Sequence, residues 1–405
     1  MKRTVLKTAA SFFGLLCIIF IPFPFNITKL QLAFTDLVFG KLIGFIAATV
    51  FSQPLSNTKV YSDSVSMYTL LLLLFIIAVI ASLLVQQIKK WTIHRDKVLR
   101  IIYQLFIYYL ALQLLKYGAD KIFKNQFYLP EPNTLFTPAG MLDKDILYWS
   151  SMGTSYGYNI FLGTLEAIAA IFILIKRTRL IGLLLALGIL INVAAVNLGF
   201  DISVKLFSLF LLFLTLYVLL PFRKKLYQLF LLKNNAAIPV AVIIAIDRKS
   251  FFTSFLQWLA IGLIALEVLY PFIRSGNFNG DNAARPYLHG AYEVTNFMRD
   301  SELLPPALSP VKRFFIHRDS YIIFQDQQDA MKDYKLAYDK DNSKFVLTDY
   351  NMKQTMLSFT YRQTDSILTL QYFDHDKEIM LMGKALNWKA LPALQKTFHW
   401  TIDGK

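Results

Sequence analysis

Long runs of apolar residues recur along the first two thirds of this chain of 405 residues, and they constrain its fold more than any other feature. A helix that crosses the hydrocarbon core of a bilayer needs about 20 mostly apolar residues. Backbone in that layer must satisfy its own hydrogen bonds, and a helix does so within one segment. The runs therefore predict seven transmembrane helices, at Leu6–Phe25, Met67–Val85, Ile101–Leu115, Asn159–Ile175, Leu180–Leu198, Val204–Leu220 and Phe251–Ile273.

The composition agrees with a membrane protein and excludes several other classes. Hydrophobic residues make up 55% of the chain and charged residues only 17%, whereas soluble domains average about 45–50% and about 25%. A disordered chain and an ordinary cytosolic enzyme are both excluded. The single cysteine, Cys17, excludes an internal disulfide framework. The five histidines have no spacing typical of metal ligands, so we predict no metal site.

The distribution of basic residues predicts an orientation. Leu30–Phe51 is apolar but carries Asp36 and Lys41, and we interpret it as a helix that lies at the membrane interface. With the N-terminus in the cytoplasm, the predicted inner segments hold 17 Lys and Arg and the outer segments hold 8. Because inner loops are enriched in basic residues, we expect the C-terminal part of the chain to lie outside the cell membrane.

The net charge of +15 is confined to the apolar part of the chain. Residues 1–272 carry 25 basic and 11 acidic side chains, and residues 273–405 carry 17 and 16. The excess therefore indicates membrane topology, and it does not indicate a nucleic-acid-binding surface. We expect membrane lipids and other membrane proteins as partners, and no nucleic acid.

The chain beyond residue 274 has a different pattern, with short segments rich in β-forming residues and turns rich in Asp, Asn and Lys. We predict a short helix over Pro286–Arg299, followed by eight strands that form a small antiparallel barrel or sandwich. The predicted strands are Lys312–His317, Tyr321–Gln325, Tyr334–Tyr338, Lys344–Thr348, Thr355–Tyr361, Ile367–Phe373, Glu378–Lys384 and Thr397–Ile402. The predicted fold class is thus an α-helical membrane bundle with an all-β C-terminal domain.

Two segments resemble the DoxX-like family of membrane proteins. One is Tyr117-Gly118-Ala119-Asp120-Lys121-Ile122-Phe123, and the other carries Asn192, Asn197, Asp201 and Lys205 at spacings of five, four and four. The ending Phe398-His399-Trp400 is similar to that of longer members with a β domain. The resemblance implies a bacterial-type inner-membrane protein of poorly defined biochemistry, some relatives being associated with thiosulfate–quinone electron transfer. Quinone is a candidate cofactor through this resemblance alone.

The resemblance and the spans together predict four regions. Residues 1–100 would hold the N-terminal spans with an external interfacial helix, and residues 101–222 a DoxX-like four-helix unit. Residues 223–273 would form a cytoplasmic basic segment and the last span, and residues 274–405 an external β-rich domain.

Polar residues near the outer ends of four consecutive spans form the candidate site. They are Gln113, Lys116, Glu166, Asn192, Asn197, Asp201 and Lys205. Ionisable groups in spans are costly and usually face the bundle interior or a wet cavity. Asp201 and Lys205 are four residues apart and can pair on one helix face, and we expect Lys205 to be the counter-ion of Asp201 or Glu166. The cluster would either hold a polar or quinone-like headgroup or fix helix packing without any chemistry.

Three functional hypotheses follow. No nucleophile, phosphate-binding or dinucleotide-binding motif is present, so we identify no catalytic residue and expect an accessory component of a membrane assembly linked to electron transfer. The second hypothesis is an oxidoreductase subunit that handles quinone or a sulfur species. The third is a lipid or small-molecule carrier that uses the β domain, because Gly290-Ala291-Tyr292-Glu293-Val294 is similar to the Gly-x-Trp opening of lipocalin-type barrels.

Overall fold

The computed structural model divides the chain into two compact units. It describes residues 2–22, 26–52, 59–230, 251–339, 342, 344–374, 377–395, 397 and 399–401. The helical unit comprises residues 1–126 and 157–278, and the barrel unit comprises residues 127–156 and 279–405. Long apolar helices and a closed β-barrel are both present, so the predicted fold class is confirmed.

Nine helices contribute to the helical unit within the described residues. They are α1 Lys2–Phe20, α2 Thr28–Phe51, α3 Val65–Val85, α4 Lys89–Ile122, α7 Tyr156–Leu174, α8 Arg179–Gly199, α9 Lys205–Leu219, α10 Arg223–Phe230 and α11 Phe251–Ser275. Most of their buried residues form one apolar core that includes Phe106, Leu110 and Leu214, all with no exposed surface. Buried residues of α11 form a smaller cluster with Ala119 of α4. The outward faces of the helices carry exposed Leu, Ile and Phe side chains, as expected for helices that contact lipid.

Seven helices in the described part of the chain are long and apolar enough to cross a membrane, but the set differs from the predicted one. Thr28–Phe51 belongs to the seven, and the apolar part of α1 is shorter, at Thr4–Phe20. The helix predicted at Leu6–Phe25 ends at Phe20, and residues 23–25 lie outside the described residues. Length and composition therefore place α2 with the spans, and its position at the interface stays a prediction.

The described residues of the barrel unit form nine strands, of which eight close into an antiparallel barrel. The strands are β1 Gly290–Arg299, β2 Glu302–Leu304, β3 Arg313–His317, β4 Tyr321–Gln325, β5 Met331–Asp339, β6 Lys344–Thr348, β7 Gln354–Arg362, β8 Ile367–Asp374 and β9 Lys377–Leu386. β1 pairs with β3 and with β9, which closes the barrel, and β2 extends the end of β1 as a hairpin. Closure leaves no free edge along the barrel wall.

Two predictions are wrong, one at the start and one at the end of the β-rich region. The residues predicted as a helix, Pro286–Arg299, contain β1. The register of β1 shifts by one residue between Val294 and Asn296, so Tyr292 and Phe297 both lie in the barrel core although they are five residues apart. Pairing with two neighbouring strands thus overrides the local helical tendency. At the other end, the described residues of the predicted strand Thr397–Ile402 form no strand, and Phe398 and Ile402 lie outside the described residues.

The segment between α4 and α7 belongs to the barrel unit, although we predicted it within the region 101–222. It contains two short helices, α5 Pro132–Leu135 and α6 Lys144–Thr154. Phe136 of this segment stacks on Phe315, with ring centroids 6.0 Å apart. Because neighbouring strand residues point to opposite faces, Phe314 fills the barrel interior while Phe315 lies outside and is covered.

Candidate functional site

Two glycines allow α4 and α7 to approach each other closely. A Cβ atom added at Gly118 would lie 2.8 Å from the carbonyl oxygen of Gly163, and one added at Gly163 would lie 2.5 Å from that of Gly118. No larger residue fits at either position without moving backbone. The crossing brings together Lys121 of α4 and Glu166 of α7, each three residues after the glycine of its helix.

Lys121 and Glu166 form a buried ion pair next to this crossing. The Lys121 ammonium lies 2.9 Å from both carboxylate oxygens of Glu166. The two residues are only 6% and 4% exposed. Each charge is costly to bury alone, and the pair is neutral overall.

A second ion pair joins α4 to α11. The Lys116 ammonium lies 3.3 Å from Oε1 of Glu267, and the same oxygen accepts a hydrogen bond of 2.7 Å from the backbone nitrogen of Asn26. Glu267, near the end of the last predicted span, therefore has both a protein cation and a backbone donor.

Lys205 contacts two aspartates at the start of α9. Its ammonium lies 2.7 Å from Asp201 and 3.8 Å from Asp63. Asp63 also accepts hydrogen bonds from the backbone nitrogens of Lys205 and Leu206, at 2.8 and 3.1 Å. These nitrogens belong to the first turn of α9, so Asp63 caps the helix from a distant part of the chain.

The predicted cluster of seven polar residues is therefore divided. Both oxygens of Glu166 bind Lys121, a residue of the DoxX-like segment that the site prediction had passed over, while Lys205 pairs with aspartates. Gln113 and Asn197 are buried, whereas Asn192 is on the exposed face of α8. The spacing of Lys121 and Glu166, each three residues after a glycine of the helix crossing, is the signal that identifies this pair.

A cleft of about 290 Å³ opens beside Lys205, at the end of the bundle where α9 begins. Its lining combines apolar and polar side chains of several helices and the segments between them. They are Ile21, Pro22, Thr28, Ser62, Asp63, Met67, Leu71, Tyr117, Val204, Leu206 and Phe207. The size lies at the lower limit of small-molecule pockets.

The barrel unit has a buried charge cluster of its own, centred on Glu131. Its Oε2 lies 2.6 Å from Nε2 of His289 and accepts a hydrogen bond of 3.3 Å from the backbone nitrogen of Arg318. Its Oε1 lies 3.6 Å from the guanidinium of Arg285. Glu131 is 3% exposed. The cluster joins the segment between α4 and α7 to the start of β1 and to the β3–β4 turn.

The charges of this cluster shift two pKa values in the same direction. Burial raises the pKa of Glu131, but the hydrogen bond with His289 and the charges of His289, Arg285 and His317 outweigh it, so the pKa lies below its usual value. Burial, together with the charges of His289 and Arg318, lowers the pKa of His317. The cluster thus favours an ionised Glu131 and a neutral His317.

Side chains fill the interior of the barrel. Phe314 and Phe345 have no exposed surface, and the rings of Phe345 and Phe359 stack at 4.2 Å. Tyr292, from the segment similar to lipocalin-type barrels, stacks on Phe314 at 4.9 Å. An eight-stranded barrel leaves room for little more than its own side chains, so this interior is a packed core.

One end of the barrel exposes apolar side chains on its loops and strand ends. The exposed fractions are 82% for Tyr350, 80% for Met352 and 71% for Phe373, and Leu303 and Leu308 are also exposed. Leu303 and Leu308 come after β1, and Tyr350 and Met352 come after β6. Phe373 is the last but one residue of β8. The strands β1, β6 and β8 run in the same direction and therefore finish at the same end of the antiparallel barrel. We call these five residues the apolar rim.

Neither a family model nor a solved structure matches the chain. Among curated proteins, the chain is similar to "Uncharacterized protein YwoB" of Bacillus subtilis (strain 168). The two are 31% identical over 125 residues, which cover 31% of this chain and 79% of the relative. Among the described residues, no group of three or more His, Cys, Asp or Glu side chains is arranged to hold a metal ion.

Proposed function

The chain belongs to the same family as the uncharacterized Bacillus subtilis protein YwoB, and we propose that it is a DoxX-like, non-catalytic component of a membrane assembly linked to electron transfer. The observation that carries this proposal is the pairing of the charged groups inside the helical unit. Glu166 binds Lys121 through both oxygens, and Glu267 binds Lys116. A carboxylate held in this way stabilises helix packing, whereas a catalytic acid or base needs access to a substrate.

The apolar rim supports the part of the proposal that concerns an assembly. Large exposed apolar groups on a folded domain mark interaction surfaces. Tyr350, Met352 and Phe373 are each more than 70% exposed. Aromatic residues and Met are enriched in protein interfaces, so their exposure here indicates a surface that a partner would cover. A partner protein that covers the rim would remove this apolar surface from water.

The test is purification of the full chain in gentle detergent, followed by mass spectrometry of the proteins and small molecules that remain bound. We expect protein partners in constant ratio to the chain, and we expect the triple change Tyr350→Ser, Met352→Ser and Phe373→Ser to release them. Met356→Ser is the control, because Met356 is 64% exposed on the outer wall of β7 and is not part of the rim. Recovery of the chain alone with bound quinone, and oxidation or reduction of that quinone by the purified chain, would instead favour the oxidoreductase hypothesis.

We propose the inner membrane of a bacterial cell as the location, with the N-terminus in the cytoplasm and the barrel unit outside. The support is the excess of basic residues in the predicted inner segments, 17 against 8. A reporter that is active only in the cytoplasm should be silent when fused after Lys405. Strong activity of this fusion would show that the number of spans is even, and α2, Thr28–Phe51, is the helix to examine first.

A further inference from the structure

We infer that the cleft beside the start of α9 binds the head of an uncharged lipid, one that carries hydroxyl or carbonyl oxygens. Five residues of the apolar wall, from three parts of the chain, are Ile21, Met67, Leu71, Leu206 and Phe207. These five side chains form an apolar surface that suits the hydrocarbon next to a lipid head. This inference is independent of the accessory role proposed above, since it concerns a ligand of the helical unit.

The polar side of the cleft offers hydrogen bonds rather than charge. Thr28, Ser62 and Tyr117 contribute hydroxyl groups to its lining. Hydroxyl groups both donate and accept hydrogen bonds. They suit alcohol, ester or ketone oxygens of a ligand equally well.

The carboxylate in the cleft, Asp63, is already neutralised by the protein. It accepts hydrogen bonds from two backbone nitrogens of the first turn of α9, and the ammonium of Lys205 lies 3.8 Å away. Lys205 is itself bound to Asp201 at 2.7 Å. Neither a cationic nor an anionic head would therefore find an uncompensated charge here, and the cleft favours an uncharged ligand.

A buried amide lies one helical turn inward from the cleft. Gln113 is four residues before Tyr117 on α4, so both lie on the same helix face. Gln113 has no exposed surface, and the described residues offer its amide no partner except the hydroxyl of Tyr109. A buried amide with unfilled hydrogen-bonding positions costs free energy, which an oxygen-bearing ligand would recover.

The volume limits what enters the cleft. About 290 Å³ corresponds to roughly ten non-hydrogen atoms, if each takes about the 30 Å³ of a water molecule in the liquid. The glycerol head of a diacylglycerol with its ester groups has this size. Its acyl chains would remain in the surrounding lipid.

The test measures lipid binding to the full chain in detergent by native mass spectrometry, with dioleoylglycerol, dioleoylphosphatidylcholine and dioleoylphosphatidylglycerol as competing probes. We expect dioleoylglycerol to bind at least 10-fold more tightly than either phospholipid. Leu71→Trp should fill the cleft and reduce dioleoylglycerol binding about 10-fold or more. Leu263→Trp is the matched control, because Leu263 lines a separate groove beside α11.

A second variant keeps the test decisive if the tryptophan disturbs folding. Gln113→Leu removes the buried amide without adding volume and should reduce dioleoylglycerol binding about 3-fold or more while the chain stays folded. Equal or tighter binding of dioleoylphosphatidylglycerol would overturn the inference. Equal loss in Leu71→Trp and Leu263→Trp, or unchanged binding in Gln113→Leu, would overturn it too.

Discussion

The helical unit and the barrel unit each bury a carboxylate, and they compensate its charge in different ways. In the helical unit, Glu166 depends on one cation, Lys121, which contacts both of its oxygens at 2.9 Å. In the barrel unit, Glu131 is shared among His289, Arg285 and a backbone nitrogen, at 2.6 to 3.6 Å. A buried carboxylate with one cationic partner is left uncompensated when that partner is removed. A buried carboxylate with several partners then loses only part of the interactions that stabilise its charge.

The largest effect should come from breaking the pair in the helical unit. Lys121→Met leaves Glu166 buried without its cation, which for a buried pair costs about 3–5 kcal/mol of unfolding free energy. The double change Lys121→Met with Glu166→Gln should cost less than the single change. Thermal unfolding of the chain in detergent measures both.

A second cycle distinguishes this pair from the one that the sequence had suggested. Lys205→Met and Glu166→Gln should have additive effects within about 0.5 kcal/mol, because the two side chains share no ion pair. Strong coupling in this second cycle, or strict additivity in the first, would contradict the assignment of separate pairs.

The corresponding change in the barrel unit should be smaller. Glu131→Gln keeps an oxygen for His289 and the backbone of Arg318. Arg285 keeps its hydrogen bonds to the backbone oxygens of Ala283 and Asp281, so we expect a loss of about 1–3 kcal/mol. Hydrogen exchange of the β3 amides, Arg313–His317, reports this loss locally. Asp319→Asn is the control, because the Asp319 side chain is 64% exposed. A loss as large as that of Lys121→Met would remove the contrast between the two clusters.

Acid should weaken the barrel unit in two steps. The pKa of His317 is lowered from 6.5, so the unfolded chain takes up this proton first, and stability falls as the pH drops below 6.5. The pKa of Glu131 is lowered from 4.5, so its contribution is present above that pH and is lost as the pH falls further, through the lowered value. Hydrogen exchange of β3 across this range should show the upper step disappear in His317→Gln and the lower step in Glu131→Gln. After correction for intrinsic rates, exchange that speeds up as the pH rises from 5 to 7 would contradict the sign for His317. Exchange that slows as the pH falls below 4.5 would contradict the sign for Glu131.

The smallest effect should come from the exposed aspartate of the helical unit. The Asp201 side chain is 82% exposed, so water screens its contact with Lys205 and the contact should contribute little to the free energy of unfolding. Asn tolerates the left-handed backbone of this position, where φ is 54°, and Asp201→Asn therefore tests the charge alone. Asp63→Ala, which removes the cap of α9, should cost about 0.5–2 kcal/mol. A larger loss of thermal stability in Asp201→Asn than in Asp63→Ala would show that the exposed ion pair contributes more than the helix cap, contrary to this prediction.

The parts of the fold that the sequence predicts are those set by local pattern. Val65–Val85 is a largely apolar helix that begins two residues before the predicted span Met67–Val85 and ends at the same residue. Tyr321–Gln325 and Lys344–Thr348 are strands with the predicted bounds. β1 was missed because its residues become a strand only through pairing with β3 and β9, more than twenty and ninety residues away in places. Local tendency carries no information on such partners.

The candidate site shows the same limit. Asp201 and Lys205 are found by their spacing, because one helix start brings them together. The choice of Lys121 rather than Lys116 as the partner of Glu166 depends on where α4 crosses α7, and only Gly118 and Gly163 hint at that crossing. Glu131 stands between two prolines in a segment whose packing on the barrel has no signature in the sequence.

The place of the segment 127–156 in the barrel unit has a consequence for synthesis. Glu131 leaves the ribosome 187 residues before the backbone nitrogen of Arg318 that it binds. At translation rates of about 5–20 residues per second, the carboxylate waits roughly 10–40 s for its partners. The last five described helices of the helical unit, α7 to α11, are made during this interval. The barrel can therefore close against this segment only late, and nascent chains arrested before β3 should be cut within residues 127–156 by a protease that spares the finished protein.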